Sequence, residues 1–187
     1  MIYLIPDHSA LLHILAISGS LRAASTNSAL LAALARNAPQ GCRLTIYGEL
    51  GRLPIFNPDD EGERTPPEAR RLIEAVSESD GVIVSSPEYA HGVPGGLKNA
   101  LDWLVSRDAA VGKPAMLVHA SHRSLFARAA LAEIMRTMSF DLYADAELEI
   151  ALLGKKPEEC NAVLRAPENV AIMEAALAAF AAFVSAR

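Results

Sequence analysis

Apolar residues along this chain come in two kinds of block that alternate from end to end. Short continuous apolar runs stop at Gly, Pro or Ser, as in His13–Ser18 (HILAIS), Cys42–Leu50 (CRLTIYGEL), Gly81–Ser86 (GVIVSS) and Lys113–Ser121 (KPAMLVHAS). Runs of this length with turn residues at their ends predict buried strands. Between them lie longer stretches with apolar residues three and four apart, the spacing of one helix face. These are 25–38 with Leu30, Leu31 and Leu34, 68–79 with Leu72, Ile73 and Val76, 96–107 with Leu97, Leu101 and Leu104, and 125–138. A fifth strand is expected within 140–152 and a last helix over 167–186, with Pro167 in its first turn. Residues 51–67 carry Pro54, Asn57, Pro58, Gly62, Pro66 and Pro67 and predict one long loop.

Five strands alternating with five helices imply an α/β fold: a five-stranded parallel sheet covered by helices on both faces, with right-handed crossovers. Ligands of such sheets bind at the carboxyl ends of the strands, where the strand order reverses. In the flavodoxin-like three-layer order 2-1-3-4-5 that point lies beside strands 1 and 3. The loops richest in unusual residues follow strands 1, 3 and 4.

Composition narrows the picture. The chain has 187 residues, 51% hydrophobic and 21% charged, with a net charge of −5. One domain over 1–187 is expected, with 1–12 as a short extension before the first strand. The charge and the lack of a basic cluster argue against nucleic acid and anionic membrane as partners. The longest apolar runs are read as too short for a membrane span. The start, MIYLIPDHSALL, has no basic segment before its apolar residues and does not read as a signal peptide. Cys42 and Cys160 are far apart, match no metal spacing and predict ordinary thiols in a reducing cytoplasm.

The loop after the first strand, Ser18–Leu31 (SGSLRAASTNSALL), gathers Ser20, Ser25, Thr26, Asn27 and Ser28 at the start of a helix. Free N–H groups there attract an anion, and Arg22 adds a charge suited to phosphate. The bland alternative is that Ser25 or Thr26 only caps the helix and Arg22 is solvated. Neither a G-x-G-x-x-G nor a G-x-x-x-x-G-K-[ST] pattern is present, so a mononucleotide phosphate fits better than a dinucleotide or a P-loop ligand. The loop after the third strand, Ser85–Trp103 (SSPEYAHGVPGGLKNALDW), is stiff at Pro87, offers the Tyr89 ring, and has Gly92, Gly95 and Gly96 where close approach or positive φ is available. Such a loop can face the polar edge of a flat heterocycle. Glu88 can equally be a solvated or helix-capping carboxylate, and Trp103 is expected in the core. His119 is expected in the core as well. His91 and His122 can either face a ligand or sit plainly at the surface, and His8 and His13 read as incidental.

These two loops together, GSLRAASTN and SPEYAHGVPGGLKNALDW, closely resemble the NAD(P)H-dependent FMN reductases, a flavodoxin-like family that includes quinone, azo-dye and chromate reductases. The resemblance runs from about His13 to the end of the chain. It implies a bound FMN reduced by NAD(P)H, with two electrons passed to a quinone, azo compound, free flavin or similar small molecule, and no protein nucleophile or base. By that resemblance Ser20, Arg22, Ser25, Thr26 and Asn27 hold the FMN phosphate. Pro87, Glu88, Tyr89, Ala90 and Ser121 line the ring, and Gly112-Lys113-Pro114 matches the start of strand 4. It also implies a homodimer or homotetramer with the flavin near a subunit interface. Two departures stand out. The family's Pro-Glu-Tyr-Asn becomes Pro-Glu-Tyr-Ala at Ala90, followed by His91, and the strand-4 loop carries Phe126 and Ala127 where glycines are usual. The alternatives are a flavodoxin-type electron carrier and a flavin-binding module without activity.

Overall fold

The computed structural model describes residues 11–105, 107–144 and 148–187. Most of the N-terminal extension expected over 1–12 lies outside the described residues, and β1 already starts at Leu12. The strands are β1 (Leu12–Ser18), β2 (Cys42–Tyr47), β3 (Gly81–Ser85), β4 (Pro114–His119), β5 (Asp141–Leu142) and β6 (Leu148–Glu149). The helices are α1 (Thr26–Arg36), α2 (Pro67–Ser77), α3 (Gly95–Leu104), α4 (Leu125–Thr137), α5 (Pro157–Arg165) and α6 (Pro167–Ser185). All described strand pairs are parallel, in the order β2-β1-β3-β4-β5. The order reverses between β1 and β3, as a flavodoxin-like sheet requires.

β1 shows why its run is apolar at every position. Ile14 and Ala16 face a core shared with α1, α5 and α6, while Leu15 and Ile17 face a second core built on α2, α3 and α4. A strand buried on both faces cannot alternate apolar with polar. Each fully buried Leu or Ile on it contributes roughly 1.5–3 kcal/mol. Trp103 is fully buried between α3 and the 51–67 segment, and its Nε1 donates to the Pro54 carbonyl (2.8 Å).

Several expected boundaries shift. The fifth strand is two short pieces, β5 and β6, and both pair with β4. A sixth helix, α5, was missed, although its start carries the marks of one: Pro157 in the first turn, then Glu158 and Glu159, with the Glu159 carboxylate accepting from the Lys156 N–H (2.7 Å). The 51–67 loop holds three short 3₁₀ turns, at Leu50–Arg52, Pro58–Asp60 and Gly62–Arg64. β2 stops at Tyr47, because its partner β1 pairs with it only as far as Ile17. α6 corrects the reading that no run is long enough for a membrane span. It has 19 residues, and an 18-residue window of it reaches a mean hydropathy of 1.4, by length and composition enough to cross. Alanines supply much of that hydropathy, while Met173, Leu177, Phe180 and Val184 are buried against the sheet.

Candidate functional site

One cavity of about 1230 Å³ opens at the carboxyl ends of β1, β3 and β4. The loop before α1 forms one wall, Pro87–Tyr89 and His91 a second, and Ser121, Arg123 and Ser124 with the turn before α5 and that helix's first turns the rest.

The wall before α1 begins with a forced close approach. A side chain at Gly19 would come within 2.9 Å of Ser86 Oγ and of Leu97, and the Gly19 N–H donates to the Ser85 carbonyl (2.8 Å). β1 and β3 thus leave the sheet in contact. Ser25 caps α1, its Oγ accepting from the Ser28 N–H (3.2 Å) while its carbonyl accepts from the Ala29 N–H. The N–H groups of Thr26 and Asn27, the first two of the helix, have no acceptor within the described residues. Two free donors at the positive end of a helix dipole form an anion site. Ser18 and Ser28 hydroxyls bond each other (2.8 Å) across the floor. Asn27 is buried, and its Oδ1 accepts from the Ser85 hydroxyl (2.9 Å), which ties α1 to β3. Ser20, Arg22, Ser25, Thr26 and Asn27 all line the cavity. The capping reading of Ser25 holds alongside its place in this wall, because an accepting hydroxyl oxygen still has a proton to donate.

The second wall is less regular. Tyr89 and Gly92 exchange both backbone hydrogen bonds (3.1 and 3.0 Å), closing a two-residue turn around Ala90 and His91. The positive φ angles expected of glycines fall on Ala90 (48°) and His91 (58°) instead. A two-residue hairpin with φ above zero at both centres imposes this. The turn uses up the Tyr89 N–H and leaves those of Glu88 and Ala90 without acceptors among the described residues. Ala90 is not part of the cavity lining, whereas Pro87, Glu88, Tyr89 and His91 are. Glu88 proves to be a helix cap at a distance. Its Oε2 accepts from the Ala127 N–H (2.9 Å) in the first turn of α4, whose own Ser124 makes no capping bond. His91 stacks on Phe126, with ring centres 4.5 Å apart and 22° between planes.

Ser121 belongs to the third wall, and its Oγ accepts from the Arg123 N–H (3.1 Å). Arg128 of α4 donates to the Ser121 carbonyl and pairs with Glu149 on β6, fixing this loop to the sheet edge. His122 is exposed and outside the lining. His119 is a core residue: burial lowers its imidazole pKa to about 4, Arg128 adds to the shift and Glu149 opposes it. His13 does have a partner, Thr45 Oγ1 on the neighbouring strand (2.7 Å). Residues missed from sequence are Ser85, which holds Asn27, and the Leu153–Asn161 segment. The apolar Leu152 and the Pro157 helix start could have flagged that segment. Cys160 lies there as a buried thiol raised by desolvation. Among the described residues no group of three or more His, Cys, Asp or Glu side chains is placed to hold a metal ion.

The fold and the site define a class: a flavodoxin-like domain with a cavity at the β1/β3 reversal, lined by free helix N–H groups, hydroxyls and Arg22. The sequence model of the NADPH-dependent FMN reductases matches residues 12–145, and the chain belongs to that family. Over 125 residues it is 35% identical to the NADH:(hydroxy)cinnamate reductase subunit CrdA of Vibrio ruber, covering 66% of this chain and 61% of that one. It is 33% identical to a quinone reductase of Escherichia coli K12 over 109 residues, 57% of this chain and 58% of that one. The matches thus span about three fifths of these relatives. In structure it superposes on the flavoenzyme NAD(P)H:(acceptor) oxidoreductase FerB of Paracoccus denitrificans with a TM-score of 0.79, covering 93% and 97% of the two chains at 24% identity, a likeness of fold.

Proposed function

We propose that the chain is an FMN-dependent NAD(P)H oxidoreductase that takes hydride from nicotinamide and passes two electrons to a quinone or similar small acceptor. One observation carries this reading: a single cavity joins the free N–H groups of Thr26 and Asn27 to the Pro87–Tyr89 edge. The residues present suit FMN. The anion end is lined by hydroxyl and N–H donors and Arg22, and the one carboxylate on the opposite wall, Glu88, is engaged with α4.

When bound, the flavin supplies the hydride and electron chemistry. The chain's own part is placement. Arg22, the α1 N-terminus and the hydroxyls of Ser20, Ser25 and Thr26 hold the phosphate. Pro87 and the Tyr89–Gly92 turn give the ring a rigid edge. The unpaired N–H groups of Glu88 and Ala90 are the backbone donors available to negative charge at that edge. No side chain is assigned as nucleophile or general base. Exposed Leu125 and Phe126 at the start of α4, beside the rim, support a homodimer or homotetramer. The unpaired thiols Cys42 and Cys160 suit a cytoplasmic setting.

The test is stopped-flow mixing of flavin-loaded protein with NADPH or NADH, followed by a quinone. Bleaching of the flavin's visible absorbance followed by recovery supports the enzyme. A yellow protein that neither nucleotide bleaches is a carrier or an inactive flavin module, and a protein that takes up no FMN defeats the reading altogether.

A further inference from the structure

We propose that Arg123, Lys155 and Lys156 form a cationic rim that receives the phosphates of the nicotinamide nucleotide, separate from the grip on the flavin phosphate. The inference rests on the flavin-reductase reading above. Arg123 stands in the turn after β4, and the two lysines stand in the turn between β6 and α5. Both turns line the same cavity as the α1 loop, and the helix that the lysine turn begins, α5, packs against α1.

Charge is the first argument. Four cations line this cavity, Arg22 and the three of the rim, against one carboxylate, Glu88, which is spent on the Ala127 N–H. The chain as a whole is acidic, at −5. Among the described residues none of the four cations has a carboxylate within ion-pair distance. Glu159, the nearest acid in sequence to the lysines, directs its carboxylate to the Lys156 backbone N–H instead. An FMN phosphate brings at most about two negative charges, and Arg22 with the free N–H groups of α1 already meets it. Three cations remain uncompensated.

Space and exposure point the same way. A cavity of about 1230 Å³ exceeds the usual range for one small ligand, roughly 300–1,000 Å³. Arg123, Lys155 and Lys156 are all exposed. Exposed rim charges accelerate encounter and add little to residence time. That suits a ligand that arrives and departs in every turnover, and suits poorly a cofactor that stays. A nicotinamide nucleotide carries a diphosphate, and its phosphorylated form one phosphate more.

The experiment uses FMN-loaded full-length protein and the K155E/K156E and R123E variants, which place their changes on the surface. Flavin bleaching is followed against NADPH and NADH concentration at low and high salt, and equilibrium dialysis measures NADP+ binding. The expected result is an apparent Kd for nucleotide about tenfold weaker in the double variant, with a flatter salt dependence and a limiting rate that moves far less. A loss for NADPH alone assigns the rim to the extra phosphate, and an equal loss for both assigns it to the diphosphate; both support the proposal. Unchanged nucleotide binding overturns it. A matching loss in FMN affinity, measured by flavin fluorescence, overturns it by giving the rim to the flavin phosphate. A loss confined to reoxidation by a sulfonated quinone, with a neutral quinone unaffected, overturns it by giving the rim to the acceptor. Wild-type protein that takes up no FMN, or is not bleached, defeats the underlying reading instead.

Discussion

The loops after β1 and β3 face the same cavity and are held by different means. The β1 loop is organised largely from within. Ser25 caps its own helix, Ser18 reaches Ser28, and the bonds that leave the segment, from the Gly19 N–H to the Ser85 carbonyl and from the Ser85 hydroxyl to Asn27, both go to the end of β3. The β3 loop depends on α4 some forty residues later, through the Glu88 carboxylate on Ala127 and the His91 ring on Phe126. A locally built loop keeps its shape when neighbours change. A loop built by distant contacts carries whatever those neighbours carry. This is where the two departures from the family pattern meet, since His91 and Phe126 are each other's partners.

The comparison is most strongly tested by pH. His119 closes β4 beneath the Ser121 loop, and its carbonyl accepts from the Ile150 N–H. Its folded pKa, about 4, lies below the ordinary value near 6.5. Between those values the unfolded chain binds a proton that the fold refuses, so stability falls as pH drops from about 6.5 towards 4. The loss is at most about 3 kcal/mol. Urea titrations of wild type and His119→Gln across this window should show the slope in the first and little in the second. Parallel curves would mean that another group sets the acid limit.

Next in size is Arg22→Ala. A charged hydrogen bond to phosphate is worth about 1.5–3 kcal/mol, so FMN affinity should fall about ten- to a hundredfold. The melting temperature of the apoprotein should hold, because Arg22 is exposed and engages no carboxylate among the described residues. Unchanged FMN affinity by fluorescence titration would remove Arg22 from the grip. Asn27→Ala should cost stability as well as flavin affinity. It strands the buried Ser85 hydroxyl at about 1–3 kcal/mol, and adding Ser85→Ala should recover part of the stability. No recovery would show that the Asn27–Ser85 bond is not the tie between α1 and β3.

The β3 loop predicts smaller effects. Glu88→Ala should destabilise by about 1 kcal/mol through the lost α4 cap, and Glu88→Gln, which retains an acceptor, by less. Chemical denaturation separates the two. Equal losses would say that charge, not the hydrogen bond, matters at that helix end. Smallest is Ala90→Gly. Relief of the left-handed backbone, roughly 1–2 kcal/mol, is offset by about 0.5–1 kcal/mol of chain entropy, leaving a gain between about zero and 1.5 kcal/mol. A loss on melting would mean that the turn relaxes when Ala90 is not held.

Much of the fold was legible because its cause is local. Runs such as Ile14–Ile17 and Val82–Val84 must be buried on both faces, and only a covered parallel sheet does that. The capped start of α1 was legible for the same reason, since a cap and its free N–H groups lie within a few residues of each other. The glycines of the β3 loop misled, because the turn that needs positive φ closed one step earlier, on Ala90 and His91. α5 went unseen although Pro157 and its two glutamates marked it. The chain's pattern by itself determined the alternation of strands and helices, the covered parallel sheet and the capped start of α1 with its free N–H groups, since each follows from periodicity and helix-end chemistry. Only the tertiary structure decided that Glu88 caps α4, that His91 lies on Phe126, and that Lys155 and Lys156 share a cavity with Arg22. Those groups are 39, 35 and more than 130 residues apart in the chain, and no periodic signal spans such distances. The crossovers of the sheet bring them together.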